Sequence, residues 1–172
     1  MITKSNFKNL LLSLGFVNNG ERYEKKFLHF GASMSVDFLK KKIYYPDAIK
    51  GRERNDGFDA PENFVVFECV NRLFEKGYRP EHIELEKEWH LGHDAKSGRA
   101  DICVTDAKGS MLFIVECKTW GREFDKALND TKMTVLSYSR IGNRNSHVDG
   151  LFCMRRILKA VLSNIKLQQS IA

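Results

Sequence analysis

The stretch that most constrains this chain is Gly98 to Lys118, GRADICVTDAKGSMLFIVECK. Ala100 to Thr105 and Leu112 to Lys118 are apolar or β-branched enough for strands, and residues 106–110 (DAKGS) supply the turn between them. Three residues interrupt the apolar run: Asp101, Glu116 and Lys118. A strand sends residues i and i+2 to one face, so Glu116 and Lys118 point the same way. With the turn centred near Lys108 or Gly109, Asp101 falls opposite or diagonal to Glu116. Both faces of FIVECK are largely apolar, which predicts a central, covered sheet. Two carboxylates and a lysine are costly there unless a cation or a network compensates them. An acidic pair with a lysine has the chemistry to hold a divalent metal and orient a water beside it.

Elsewhere the chain reads as α/β (α+β), one domain with a small N-terminal appendage. Thr3 or Ser5 can cap a short helix carrying Phe7, Leu10, Leu11 and Leu14, closed by Gly15. Tyr23 to Phe30 and Met34 to Tyr45 read as two strands around Gly31-Ala32, giving a helix-and-hairpin layer over 1–50. Lys40 to Lys42 read as a solvated hairpin edge. Residues 51–60 are polar and Gly-containing, the composition of a linker, with Arg52 and Arg54 as candidate DNA contacts. Pro61 opens a helix ended by Gly77, whose apolar arc is Val65, Val66, Phe67, Cys69, Val70, Leu73 and Phe74. Glu68 lies outside that arc beside Asn71, Arg72 and Glu75. Ile83 to Trp89 alternates, with Glu84, Glu86 and Glu88 on the face away from the core. His90 and His93 have no further His or Cys near them, which excludes a zinc site.

Cys69, Cys103, Cys117 and Cys153 stand singly in apolar segments and are expected to be reduced packing residues. No apolar run is long enough to span a bilayer and no signal peptide is recognisable, so a cytoplasmic protein without a membrane partner is expected. Of the net charge of +6, residues 133–172 contribute +5, with six Lys/Arg against one acid. The basic balance therefore belongs to the tail and implies nothing about nucleic-acid binding by the rest.

The D(101)-x14-E-C-K(118) pattern resembles the D…(D/E)-x-K signature of the PD-(D/E)XK nucleases. PENFVVFECVNRLFEKGYRPEHIELEKEW, followed by SGRADICVTD and FIVECKTWG, is more narrowly similar to the N-terminal nuclease domain of type I restriction enzyme R subunits. It is also similar to that of fused restriction-methyltransferase enzymes. The resemblance covers roughly Pro61 to Asp130 and places the nuclease core at 61–132. It implies a restriction-endonuclease-like fold, a mixed central β-sheet flanked by helices, and Mg2+-dependent hydrolysis of DNA phosphodiesters, with Mn2+ as a substitute. Asp101, Glu116 and Lys118 take the catalytic positions. Asp101, Glu116 and the Cys117 carbonyl are the implied metal ligands, with Glu68 of the first helix, or Glu86 or Glu88 of the acidic strand, as a further one. Arg122 and Lys126 follow the site and are candidate DNA contacts. The implied partners are double-stranded DNA and the methyltransferase, specificity or helicase modules of a restriction system.

The tail departs from this pattern. Relatives of this kind continue with a glutamine-x-x-x-tyrosine motif and another strand, and neither is legible in residues 133–172. Permitted codons exist for 132–172 that, read one nucleotide earlier, encode glutamine-leucine-phenylalanine-serine-tyrosine followed by two apolar strands. The expectation is a frameshift product from Met133, a truncated nuclease with exposed apolar surface that favours homodimers. The competing expectations are an inactive remnant or DNA-binding module, a native basic tail, and a resolvase- or repair-type nuclease acting on structured DNA.

Overall fold

The computed structural model of the chain describes residues 4–91, 95–118 and 151–154. Helix α1 (Lys4–Ser13) buries Phe7 and Leu11, one turn apart on one face. Gly15, at φ +82°, turns the chain out of it, and the Phe16 N–H donates back to the Leu11 carbonyl at 2.9 Å.

The layer that follows is a four-stranded antiparallel meander in sequence order: β1 (Val17–Asn19), β2 (Arg22–Phe27), β3 (Ala32–Asp37) and β4 (Lys42–Tyr44). Two strands were expected here. The second is broken at 38–41, where the Asp37 carboxylate accepts the Lys40 N–H at 2.9 Å and Lys41 takes φ 51°. Helix α2 (Pro61–Glu75) buries the whole expected apolar arc. It also buries Asn71, which the periodicity had placed on the polar side. Lys25 of β2 explains the exception. Its ammonium donates to Asn71 Oδ1 (3.0 Å), the Leu14 carbonyl (2.6 Å) and Glu75 (2.6 Å), tying α1, β2 and α2 together.

The second sheet contains β5 (Ile83–Leu91), β6 (Ala95–Thr105), β7 (Met111–Cys117) and β8 (Leu151–Met154), in that spatial order. The first three are antiparallel and β8 runs parallel to β7, so the architecture is α+β with a mixed sheet. The tail thus supplies a strand that the sequence reading denied it. The β6–β7 turn is built by Asp106, whose Oδ1 accepts the N–H groups of Lys108 (2.9 Å) and Ser110 (2.8 Å), with Gly109 at φ +80°.

One apolar core joins the two layers. Phe7, Met34, Val36 and Ile43 meet Phe64, Phe67 and Phe74 of α2 and Leu85, Ile102 and Val115 of the second sheet. Burying each such side chain contributes roughly 1.5–3 kcal/mol. The polar segment after residue 50 is held against β5. The Lys50 carbonyl accepts the Leu85 N–H at 2.8 Å, and a Cβ on Gly51 would stand 2.0 Å from the Leu85 carbonyl oxygen. A 3-10 turn (Arg52–Asn55) follows directly. Among the described residues no helix is long and apolar enough to cross a membrane.

Candidate active site

The register of the second sheet positions the site. Ile102 pairs with Val115, and one residue further Asp101 of β6 stands opposite Glu116 of β7. Leu85↔Ile102 and Lys87↔Ala100 bracket Glu86, which stands level with Asp101 on the other side. Glu86, Asp101 and Glu116 therefore form one row across three strands.

Asp101 is held through the neighbouring strand. Its Oδ2 accepts the Cys117 N–H at 2.5 Å. Its pKa is nevertheless raised to about 7, by burial first and the Glu116 charge second. The Cys117 N–H and the Lys118 charge act in the opposite direction, and Glu86 adds a further upward push. This carboxyl is electrostatically frustrated, because burial and a like charge beside it favour its neutral form.

Lys118 follows β7 immediately and carries the compensating charge. Its ammonium lies 2.7 Å from Glu116 Oε1 and 3.8 Å from Glu62 Oε1. Burial pushes its pKa down, but the hydrogen bond to Glu116 and the charges of Glu116, Asp101 and Glu62 more than offset this. It is raised overall, so Lys118 is an ammonium at neutral pH. The Cys117 side chain turns to the opposite face, where its sulfur lies 3.7 Å from that of Cys69 on α2.

The structure brings Asp101, Glu116 and Lys118 together, as the sequence pattern predicts. Glu68, the helix candidate, is bound instead to Arg72 one turn on, at 2.5 Å. The glutamate of α2 that reaches Lys118 is Glu62, in the first turn of the helix. Glu86 joins the row with its backbone at φ 52°, in the left-handed region. Arg99 Nε holds it at 3.0 Å and Asn55 Nδ2 at 3.3 Å. Glu88 is paired with Arg54 at 2.5 Å; Arg54 had been a candidate DNA contact. Arg52 lies 3.0 Å from Asp47. Arg122 and Lys126 lie outside the described residues, as do His93 and the side chains of His90 and Cys153.

Among the described residues no three His, Cys, Asp or Glu side chains converge closely enough to hold a metal ion between them. The donor set is two opposed carboxylates, which suits Mg2+. That ion commonly takes one or two protein carboxylates and keeps waters and substrate oxygens for its remaining positions.

No curated protein matches the chain. Residues 61–141 match the family model of the type I restriction enzyme R protein N terminus. The match runs past Lys132, where sequence reasoning ended the resemblance. The segment that carries α2, β5, β6, β7, Asp101, Glu116 and Lys118 is thus similar to the N-terminal region of type I restriction enzyme R proteins.

Proposed function

We propose that this chain carries a Mg2+-dependent endonuclease site of a restriction-modification system, acting on the phosphodiester bonds of double-stranded DNA. The observation that carries the reading is the opposed pair Asp101 and Glu116, with Lys118 beside it and the proton of Asp101 retained to about pH 7. A buried acidic pair with that property is costly in the bare protein and favourable once a cation replaces the proton. Asp101 and Glu116 would hold the ion, with the Cys117 carbonyl as a further oxygen donor. The bound cation would supply Lewis acidity toward a phosphodiester.

The chain's own groups supply the rest. The Cys117 N–H fixes the orientation of Asp101, so the carboxylate need not be ordered when the ion arrives. Lys118, kept protonated by Glu116 and Glu62, is a hydrogen-bond donor, suited to the charge that develops on phosphate oxygens in the transition state. That assigns it to charge stabilisation, since an ammonium cannot take a proton from water. Strand choice and site recognition would belong to partner modules of the same restriction system.

The test is nicking of supercoiled plasmid by the full chain in Mg2+, against Asp101→Asn. Nicking by the wild type and none by the variant supports the reading. Equal nicking by both, or none by either, replaces it with an inactive remnant or a DNA-binding module. Cleavage of branched but not linear duplex would turn it toward a nuclease of structured DNA.

A further inference from the structure

We propose that Arg99 grips a backbone phosphate of the DNA beside the bond to be cut, and that Glu86 is the positioning residue that aims it. This rests on the nuclease reading above and deepens it. Arg99 lies two residues before Asp101 on β6, so it shares the face of Asp101, roughly 6–7 Å further along the strand. It pairs in register with Glu88 of β5. A phosphate one step from Asp101 along β6 would therefore meet Arg99.

Glu86 distinguishes Arg99 from an ordinary surface arginine. The Arg99 side chain is 61% exposed, yet its Nε is bonded to a Glu86 side chain that is only 11% exposed. Glu86 is in turn fixed by its left-handed backbone and by Asn55, whose own segment is locked to β5 through the Gly51–Leu85 approach. One edge of the guanidinium is thus anchored while the side chain reaches solvent. Its planar fork suits a phosphate diester, and orienting it beforehand removes part of the entropy cost of the contact.

The test is binding of a fluorescent linear duplex by the full chain in EDTA, followed by anisotropy over a salt series. Arg99→Ala should weaken binding about three- to tenfold and flatten the slope of log K against log salt by about 0.9, the share of one phosphate contact. Glu86→Gln should weaken binding in the same direction, and Arg99→Lys should restore the slope. Melting temperatures are read in parallel; should Arg99→Ala not fold, Arg99→Gln carries the same test. A variant that lowers the melting temperature and leaves the salt slope unchanged overturns the proposal. If the wild type nicks plasmid but its slope does not depend on Arg99, this inference falls and the nuclease reading stands. If the slope depends on Arg99 without any nicking, Arg99 is a DNA contact and the nuclease reading falls. A wild-type chain that binds no duplex overturns this inference whatever its nicking.

Discussion

The backbone N–H of Cys117 donates to Asp101 Oδ2 at 2.5 Å, so the acid of β6 is gripped by the strand that carries Glu116 and leads into Lys118. This bond joins two parts of the motif that are 16 residues apart in the chain. It also explains why Asp101 keeps its position while burial and Glu116 act to neutralise it.

That neutralisation gives a pH dependence with a definite sign. An unfolded aspartate titrates near 3.9, and folded Asp101 near 7. Between those values the folded state binds more protons, so Asp101 makes the metal-free protein less stable as pH rises from about 4 to 7, with no further change above. Asp101→Asn removes this loss while keeping an acceptor for Cys117. The variant should be more stable than the wild type by about 2–4 kcal/mol at pH 8 and nearly equal to it at pH 4. Urea unfolding at the two pH values checks it; a constant difference between them would contradict the assignment.

Lys118→Met separates charge stabilisation from cation binding. The ammonium lies 2.7 Å from Glu116 and lowers the proton affinity of Asp101. Its removal should leave Mn2+ binding intact and reduce plasmid nicking by about 10²-fold or more, the usual cost of losing one charge-stabilising donor. Nicking at the wild-type rate would remove Lys118 from the mechanism.

Gly51→Ala tests the brace behind β5. Gly51 sits at φ +72°, with the Leu85 carbonyl oxygen 2.0 Å from where a Cβ would be, and that atom is backbone. The substitution should destabilise the protein by roughly 2–4 kcal/mol, because either the turn or the strand must shift. An unchanged melting temperature would show that the segment after residue 50 is not locked to the strand.

How much of this was legible in the sequence follows from the range of each signal. The opposition of Asp101 and Glu116 was legible because a two-residue period and a five-residue turn determine it locally. Helix α2 was legible from Pro61, Gly77 and its apolar arc. Glu62 was not, because its approach to Lys118 depends on how the helix lies across the sheet. Glu86 appeared as one of three alternating glutamates, and nothing in the local pattern reveals its reversed backbone. Asn71 was assigned to the polar face because its partner, Lys25, lies 46 residues away. The strand at Leu151–Met154 was missed because its run is four residues long and follows an otherwise uninformative tail.

The origin of residues 133–172 is tested by the nucleotide sequence from about codon 125 onward. The frameshift account predicts that the frame one nucleotide earlier encodes glutamine-leucine-phenylalanine-serine-tyrosine over positions 137–141 and an apolar run over 150–155, then stays open. That apolar run would overlie the positions of β8, so both frames provide a strand there. A closed frame, or one encoding neither feature, makes the present tail the native one.

The central claim is that Asp101 and Glu116 act together on one divalent cation, and Mn2+ binding followed by electron paramagnetic resonance tests it most directly. The account predicts one Mn2+ per chain for the wild type, bound more tightly at pH 8 than at pH 6 because the proton on Asp101 competes with the ion below about pH 7. Binding should be lost in both Asp101→Asn and Glu116→Gln, and retained in Glu68→Gln, whose carboxylate belongs to Arg72. Wild-type affinity in either of the first two variants would contradict the account.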